Sequence, residues 1–402
     1  MPYPLGSVTL LASVAAVGAL LGGCDETPAV SSTSAVSPTA APSYRRAVSL
    51  PPELPAPFRH RIPGMPPPLP GGVYAADRPG MVAPRLRHEP AYIYVPDSED
   101  PGHTTVISQR THRIVRVLPT GRLDQHVTPS WDLKTLYVEA SDSDHLATIN
   151  PHNGRMTGTI ATNRPYNLYF TPDGRAAIVM DEQHDQIVFS DPHTLARRHV
   201  VTDPRCLGPN HAEFSANGRY MVVSCEFSGE LLKISTLRHK VIGHIHLPMP
   251  SMPQDVRLAP DGRSFFVADM GRDLLLQIPW DRFRVAHAYP TRKMPHGIYF
   301  SRDERLLYLS DRESGAVQVF NLARHRFTQT WWIPGGGSPD MGGLSADGRT
   351  LWLSGRYDGV VYGFDTRSGK LIAKIPVGGS PHGLLVWPQP GRYSLGHTGE
   401  MR

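Results

Sequence analysis

The sequence predicts an all-β fold, a seven-bladed β-propeller of four-stranded blades, and three observations carry that expectation. A motif returns about every 41 to 44 residues, the length of one propeller blade. Each clear copy ends in an Asp-Gly or Asn-Gly type turn, a strong short-range hairpin signal. The array also begins and ends out of phase, so the C-terminal strand is expected to complete the first blade and close the ring.

The chain has 402 residues and a formal charge of +5, spread over scattered Arg and Lys with no basic run that would follow a phosphate backbone. Nucleic acid is therefore not an expected partner. Residues 8–21 are apolar, too short for a membrane span and suited to a signal-peptide core, and they lead into LGGC at 21–24. That ending resembles a bacterial lipobox. The resemblance implies a lipoprotein signal peptide over 1–23, acylation at Cys24, and an exported protein anchored to the cell membrane, facing the periplasm or the cell exterior. Residues 24–85 are rich in Pro, Ala, Ser and Thr without apolar periodicity, and read as a semi-extended tether. The propeller is expected over 86–402.

Five copies of the repeat are plain: 165–174 (PYNLYFTPDG), 209–218 (PNHAEFSANG), 253–262 (PQDVRLAPDG), 295–304 (PHGIYFSRDE) and 339–348 (PDMGGLSADG). A weaker copy starts at Gln125, and 381–386 (PHGLLV) matches a first strand with nothing after it to form a second. The domain opens at 91–95 (AYIYV), which matches a second strand. Joining these ends gives seven blades and hides the raw edges of an open array. Each fourth strand, such as residues 370–375 (KLIAKI), carries the charges expected of an outer edge.

These blades resemble the YVTN-repeat propellers of bacterial surface and periplasmic proteins, especially the YncE-like group, in Tyr94-Val95, Tyr137-Val138 and the Pro-Asp-Gly turns. The resemblance implies a monomeric binding platform and names no chemistry, because function rides on the site rather than on the fold.

Ligands of propellers gather at the channel mouth where the loops leading into the inner strands converge. Two adjacent columns stand there. One reads Gln125, Tyr166, Asn210, Gln254, His296, Asp340, His382; the next reads His126, Asn167, His211, Asp255, Gly297, Met341, Gly383. From them a ligand-binding mouth of His126, Asn167, His211, Asp255, His296, Asp340 and His382 is expected. Imidazole and thioether at such a mouth suit copper or zinc. Strand alternation opposes a single cluster: His296 and His382 should face one way, His126 and His211 the other, unless the loops break the pleat.

Cys206 and Cys225 fall in one blade and in an oxidising compartment, which favours a disulfide over a pair of soft ligands beside His211. An enzymatic alternative, a lactonase-like hydrolase or a metal-dependent oxidoreductase, would draw on Asp255, His296, Asp311, Arg312 and Arg356 at the same mouth. No nucleophile elbow supports it. The leading expectation is a non-catalytic binding module with a small-molecule or protein ligand.

Overall fold

The computed structural model describes residues 56–402; the signal peptide, Cys24 and the start of the tether lie outside the described residues. Seven antiparallel sheets surround a channel, as the repeat predicts. The innermost strands of blades 2 to 7 are Asp124–Pro129, Asn167–Phe170, Pro209–Phe214, Pro253–Leu258, Pro295–Phe300 and Pro339–Leu344. Blade 1 takes its inner strand, Leu385–Trp387, from the far end of the chain and pairs it with Tyr92–Pro96. Leu385, Val386 and Trp387 are wholly buried, so this joint is packed as densely as the blades it closes. Outer strands such as Lys240–His246 alternate exposed and half-buried residues, which keeps a charged edge toward water.

The turn chemistry repeats with the blades. In blade 3 the Gly174 amide donates to the Thr171 carbonyl while the Thr171 hydroxyl donates to Asp173. Blades 2 and 6 make the same turn with Leu133 and Glu304 in the left-handed conformation, both at φ 62°, where blades 3, 4, 5 and 7 have glycine.

Two segments depart from the expected organisation. The Pro-rich stretch is not an extended tether after residue 55: Phe58, Ile62, Val73 and Tyr74 are buried against the propeller. The Ile62 amide donates to the Asn217 carbonyl and the Val73 amide to the Pro260 carbonyl, so the segment lies across the turns on the lower face. Its backbone donors are met by the blades rather than by water, which composition alone does not announce. The second departure follows the closing strand. Ser394–Gly396 and Glu400–Met401 form a small hook that adds to the inner edge of blade 3, with Gly396 opposite Tyr169. Gly396 sits at φ 107°, and any Cβ there would strike the Leu168 carbonyl, so only glycine lets the hook approach this closely. The hook therefore lies inside the channel.

Candidate functional site

Each inner strand of blades 2 and 4 to 7 enters its sheet through a bulge. Pro209 pairs with Cys225 and Ala212 with Val223, so three steps on one strand face two on the other, and the same shift recurs at 124/127, 253/256, 295/298 and 339/342. A bulge re-aims side chains and breaks strict alternation. As a result both columns reach the axis. His126 lies 4.7 Å from His382 and 5.5 Å from His211 between ring centroids, and His296 lies 5.7 Å from His211 and 6.0 Å from His382. The objection from alternation is thus overturned, for the physical reason that the strands are irregular where they begin. Gly383 makes room, since a Cβ there would overlap the His126 ring.

A fifth imidazole joins from the hook. His397 stands 5.1 Å from His126 and 5.0 Å from His211 between centroids. It has no place in the repeat, so no column could find it; only the hook's position brings it in. All five imidazoles are at most 2 % exposed. Burial pushes every one of them below the usual histidine range, His126 to about 4, and they are held neutral.

Their hydrogen bonding is uneven. His126 Nδ1 meets the Tyr166 carbonyl at 2.9 Å, which fixes the proton there and leaves Nε2 as a bare lone pair. Among the described residues, His126 Nε2 and both ring nitrogens of His211 and His397 are buried without a hydrogen-bond partner. His126, His211 and His397 can each direct one nitrogen so that the three lie within 4.8 Å of one another. Above them His296 Nδ1 lies 3.2 Å from Asp340 Oδ1 and 2.9 Å from the Met341 sulfur, while His382 Nε2 is 3.7 Å from Asp340 Oδ2. Arg312 grips Asp340 from outside through Nε at 3.1 Å and Nη2 at 2.6 Å.

The remaining expected residues divide. Asp255 accepts from the Ile298 amide at 2.8 Å and presents its other oxygen 3.7 Å from His397 Nε2; burial lifts its carboxyl to about 6. Asn167 does not face the cluster: its amide donates to Tyr169 Oη at 3.2 Å and to the Asn210 carbonyl at 3.4 Å, so it serves the wall. Asp311 lies buried with neither oxygen partnered, and burial raises it to about 8. Cys206 and Cys225 are bonded to each other, which removes them as ligands beside His211.

Residues 143–328 match the family described as lactonase, 7-bladed beta-propeller. Protein NirF of Stutzerimonas stutzeri is 37 % identical over 113 residues, a stretch covering 26 % of this chain and 28 % of NirF. The match thus spans little more than a quarter of that relative. Among solved structures, hydrazine synthase of Kuenenia stuttgartiensis superposes with a TM-score of 0.55 at 17 % identity, over 64 % of this chain and 87 % of that one. A functionally unknown protein from Desulfotomaculum acetoxidans gives 0.62 at 15 %, over 74 % and 98 %. The dihydro-heme d1 dehydrogenase NirN, solved in complex with DHE, gives 0.57 at 16 %, over 80 % and 83 %. At these identities the structural likeness speaks for the fold, and the chain is a seven-bladed propeller similar to proteins of the lactonase class and to NirF.

Proposed function

We propose that this protein is an exported, lipid-anchored binding propeller that holds a transition-metal ion of the copper or zinc type on its channel axis. His126, His211 and His397 are the ligands, with His296, Asp340 and His382 forming the outer wall of the site. One observation carries the reading: five imidazole nitrogens at the axis are buried without a partner among the described residues. Each such nitrogen costs about 1–3 kcal/mol, and an ion accepting one lone pair from each of the three rings would remove that penalty at three of the five. Neutral imidazoles are the form a metal needs, and the Tyr166 carbonyl behind His126 acts as the outer-shell acceptor that orients a ligating ring. A tetrahedral ion with bonds near about 2.0 Å wants donor nitrogens about 3.4 Å apart, a modest contraction of the present cluster.

NirN is named for a heme d1 reaction, and a tetrapyrrole is a second candidate for the mouth. The burial of the rings argues against it: centroids 4.7 to 6.0 Å apart leave room between them for an ion and not for a macrocycle. The lactonase-class match keeps hydrolysis at this mouth as the enzymatic alternative, with a bound ion and water supplying the nucleophile.

Elemental analysis of untagged protein isolated without chelator tests the proposal. About one copper or zinc per chain is expected, falling to near zero in His397→Ala and His211→Ala. Metal-free wild-type protein that also fails to take up added copper or zinc would overturn it, and a Soret band with iron would favour the macrocycle. For the anchor, Cys24→Ala should move the protein out of the membrane fraction.

A further inference from the structure

One position beyond each second strand, the seven blades place a residue around the upper mouth. In blade order these are Ser98, Ser141, Glu182, Glu226, Met270, Arg312 and Arg356. The positions are structurally equivalent: in six of them, all but Glu182, the backbone amide donates to a carbonyl just before the neighbouring inner strand, as Ser98 to Ser380, Glu226 to Gly208 and Arg356 to Ser338. The collar is sorted by charge. Blades 3 and 4 carry the two acids, blades 6 and 7 the two guanidinium groups, and neutral residues of blades 5, 1 and 2 separate them on both sides.

Ordinary surface charges alternate in sign and pair, whereas this arrangement sets like charges on adjacent blades. Among the described residues no ion pair within 4.0 Å joins Glu182 or Glu226 to any cation, or Arg356 to any carboxylate. Glu226 instead accepts from Asn210 at 3.1 Å, and Arg356 donates to the Ser98 hydroxyl at 2.9 Å. Arg312 is partly answered by Asp340 and lies 5.8 Å above the Tyr357 ring. The four groups nevertheless face one space. Burial pushes the carboxyl groups of both glutamates up, Glu226 adds to this at Glu182, and the Arg356 charge draws both down.

We infer that this collar is a binding site for a small zwitterion, with an ammonium group between Glu182 and Glu226 and a carboxylate at the other end between Arg312 and Arg356. Such a ligand answers both like-charge pairs at once, and the guanidinium fork matches a carboxylate in geometry. The opposition of the two sectors across the axis favours charges at the two ends of a chain over charges on neighbouring atoms. The collar stands above the imidazoles and does not depend on an ion occupying them.

Calorimetric titration of the full chain at neutral pH and low salt with glycine, 4-aminobutyrate and 6-aminohexanoate tests this, with acetate and methylammonium as half-ligands. A member of the series is expected to bind saturably and roughly tenfold or more tighter than either half-ligand, with one length preferred. Arg356→Gln and Glu226→Gln should each weaken it by roughly tenfold, and Glu182→Gln repeats the acidic arm should Glu226→Gln fail to fold. Equal binding of acetate and the zwitterions, or no saturation by any of the three, would overturn the inference. Metal content measured on the same samples separates the two proposals: zwitterion binding by protein that holds no metal and takes up no added copper or zinc sinks only the metal centre, and a full metal complement without zwitterion binding sinks only the collar.

Discussion

At the lower mouth of the channel Arg402 donates to Glu213 at 2.8 Å and to the Phe214 carbonyl at 2.7 Å, Arg257 lies 3.3 Å from Glu400, and Tyr74 hydrogen bonds to the Leu258 carbonyl at 2.8 Å. At the upper mouth the rings of His211 and His397 are equally buried and make no hydrogen bond among the described residues, and Glu226 and Arg356 have no ionic partners within 4.0 Å among them. Both ends take charged or polar side chains out of water, which costs free energy unless each is answered. The lower end answers Arg402, Glu213 and Tyr74 with the chain itself, through the hook and the 56–85 segment, while among the described residues both Glu400 oxygens lack a hydrogen bond and have only the Arg257 ion pair. The upper end leaves its groups for something else. One end of the channel is plugged by the chain and the other is the end to which the proposed ligands are assigned, although all seven blades run through both.

Four experiments would break or sharpen that contrast. Removing residues 381–402 deletes the inner strand of blade 1 and the plug together. Loss of Leu385, Val386 and Trp387 alone amounts to about 2–5 kcal/mol per side chain, against a total stability of about 5–15 kcal/mol, so no cooperative melt should remain. A soluble truncated protein with the parental melting temperature would contradict the closure. Next, Glu213→Ala strands the Arg402 charge in the plug and should cost about 3–5 kcal/mol in denaturant unfolding, with metal content unchanged.

A smaller effect is expected at the upper end. His211→Leu replaces an unanswered imidazole by an apolar group of similar size, so metal-free protein should unfold within about 1 kcal/mol of wild type, or slightly later, while the stabilisation conferred by added metal disappears. A loss as large as that of Glu213→Ala would mean the ring is structural. The last test turns on pH, at Asp311. Its folded pKa of about 8 lies above the ordinary aspartate value of 3.8, so the folded state holds a proton that the unfolded chain has lost, and stability falls as pH rises between those values. Asp311→Asn cannot ionise. It should match wild type near pH 4 and become progressively more stable than it toward pH 8, a trend that paired thermal melts would read.

The blades and their closure were legible because each turn announces itself locally: a Pro before the inner strand, then Asp-Gly or Asn-Gly at a fixed offset. His126, His211, His296 and His382 were also visible as columns. Their meeting was not, because the period-of-two rule assumes a regular strand and the bulges lie at the positions where it was applied. The packing of Phe58, Ile62 and Tyr74 onto the lower face leaves no periodic trace, since the segment meets blades 4 and 5 through Ile62 and Val73 at a spacing unrelated to the blade period. His397 is invisible for the same reason. The collar could have been read from the alignment by moving one column past Asp97, Ala140, Asp181, Cys225, Asp269, Asp311 and Gly355, where charge rather than residue identity carries the pattern.

The hook also sets an order of events. His126 and His211 are made early in synthesis, yet His397 follows the strand that closes blade 1, so the axial imidazole set is completed only after the ring has its last inner strand. With synthesis running from the N-terminus, six blades would stand assembled around an axis that still lacks His397. Under the proposed metal reading, an ion met before that last step would find two of the three imidazoles.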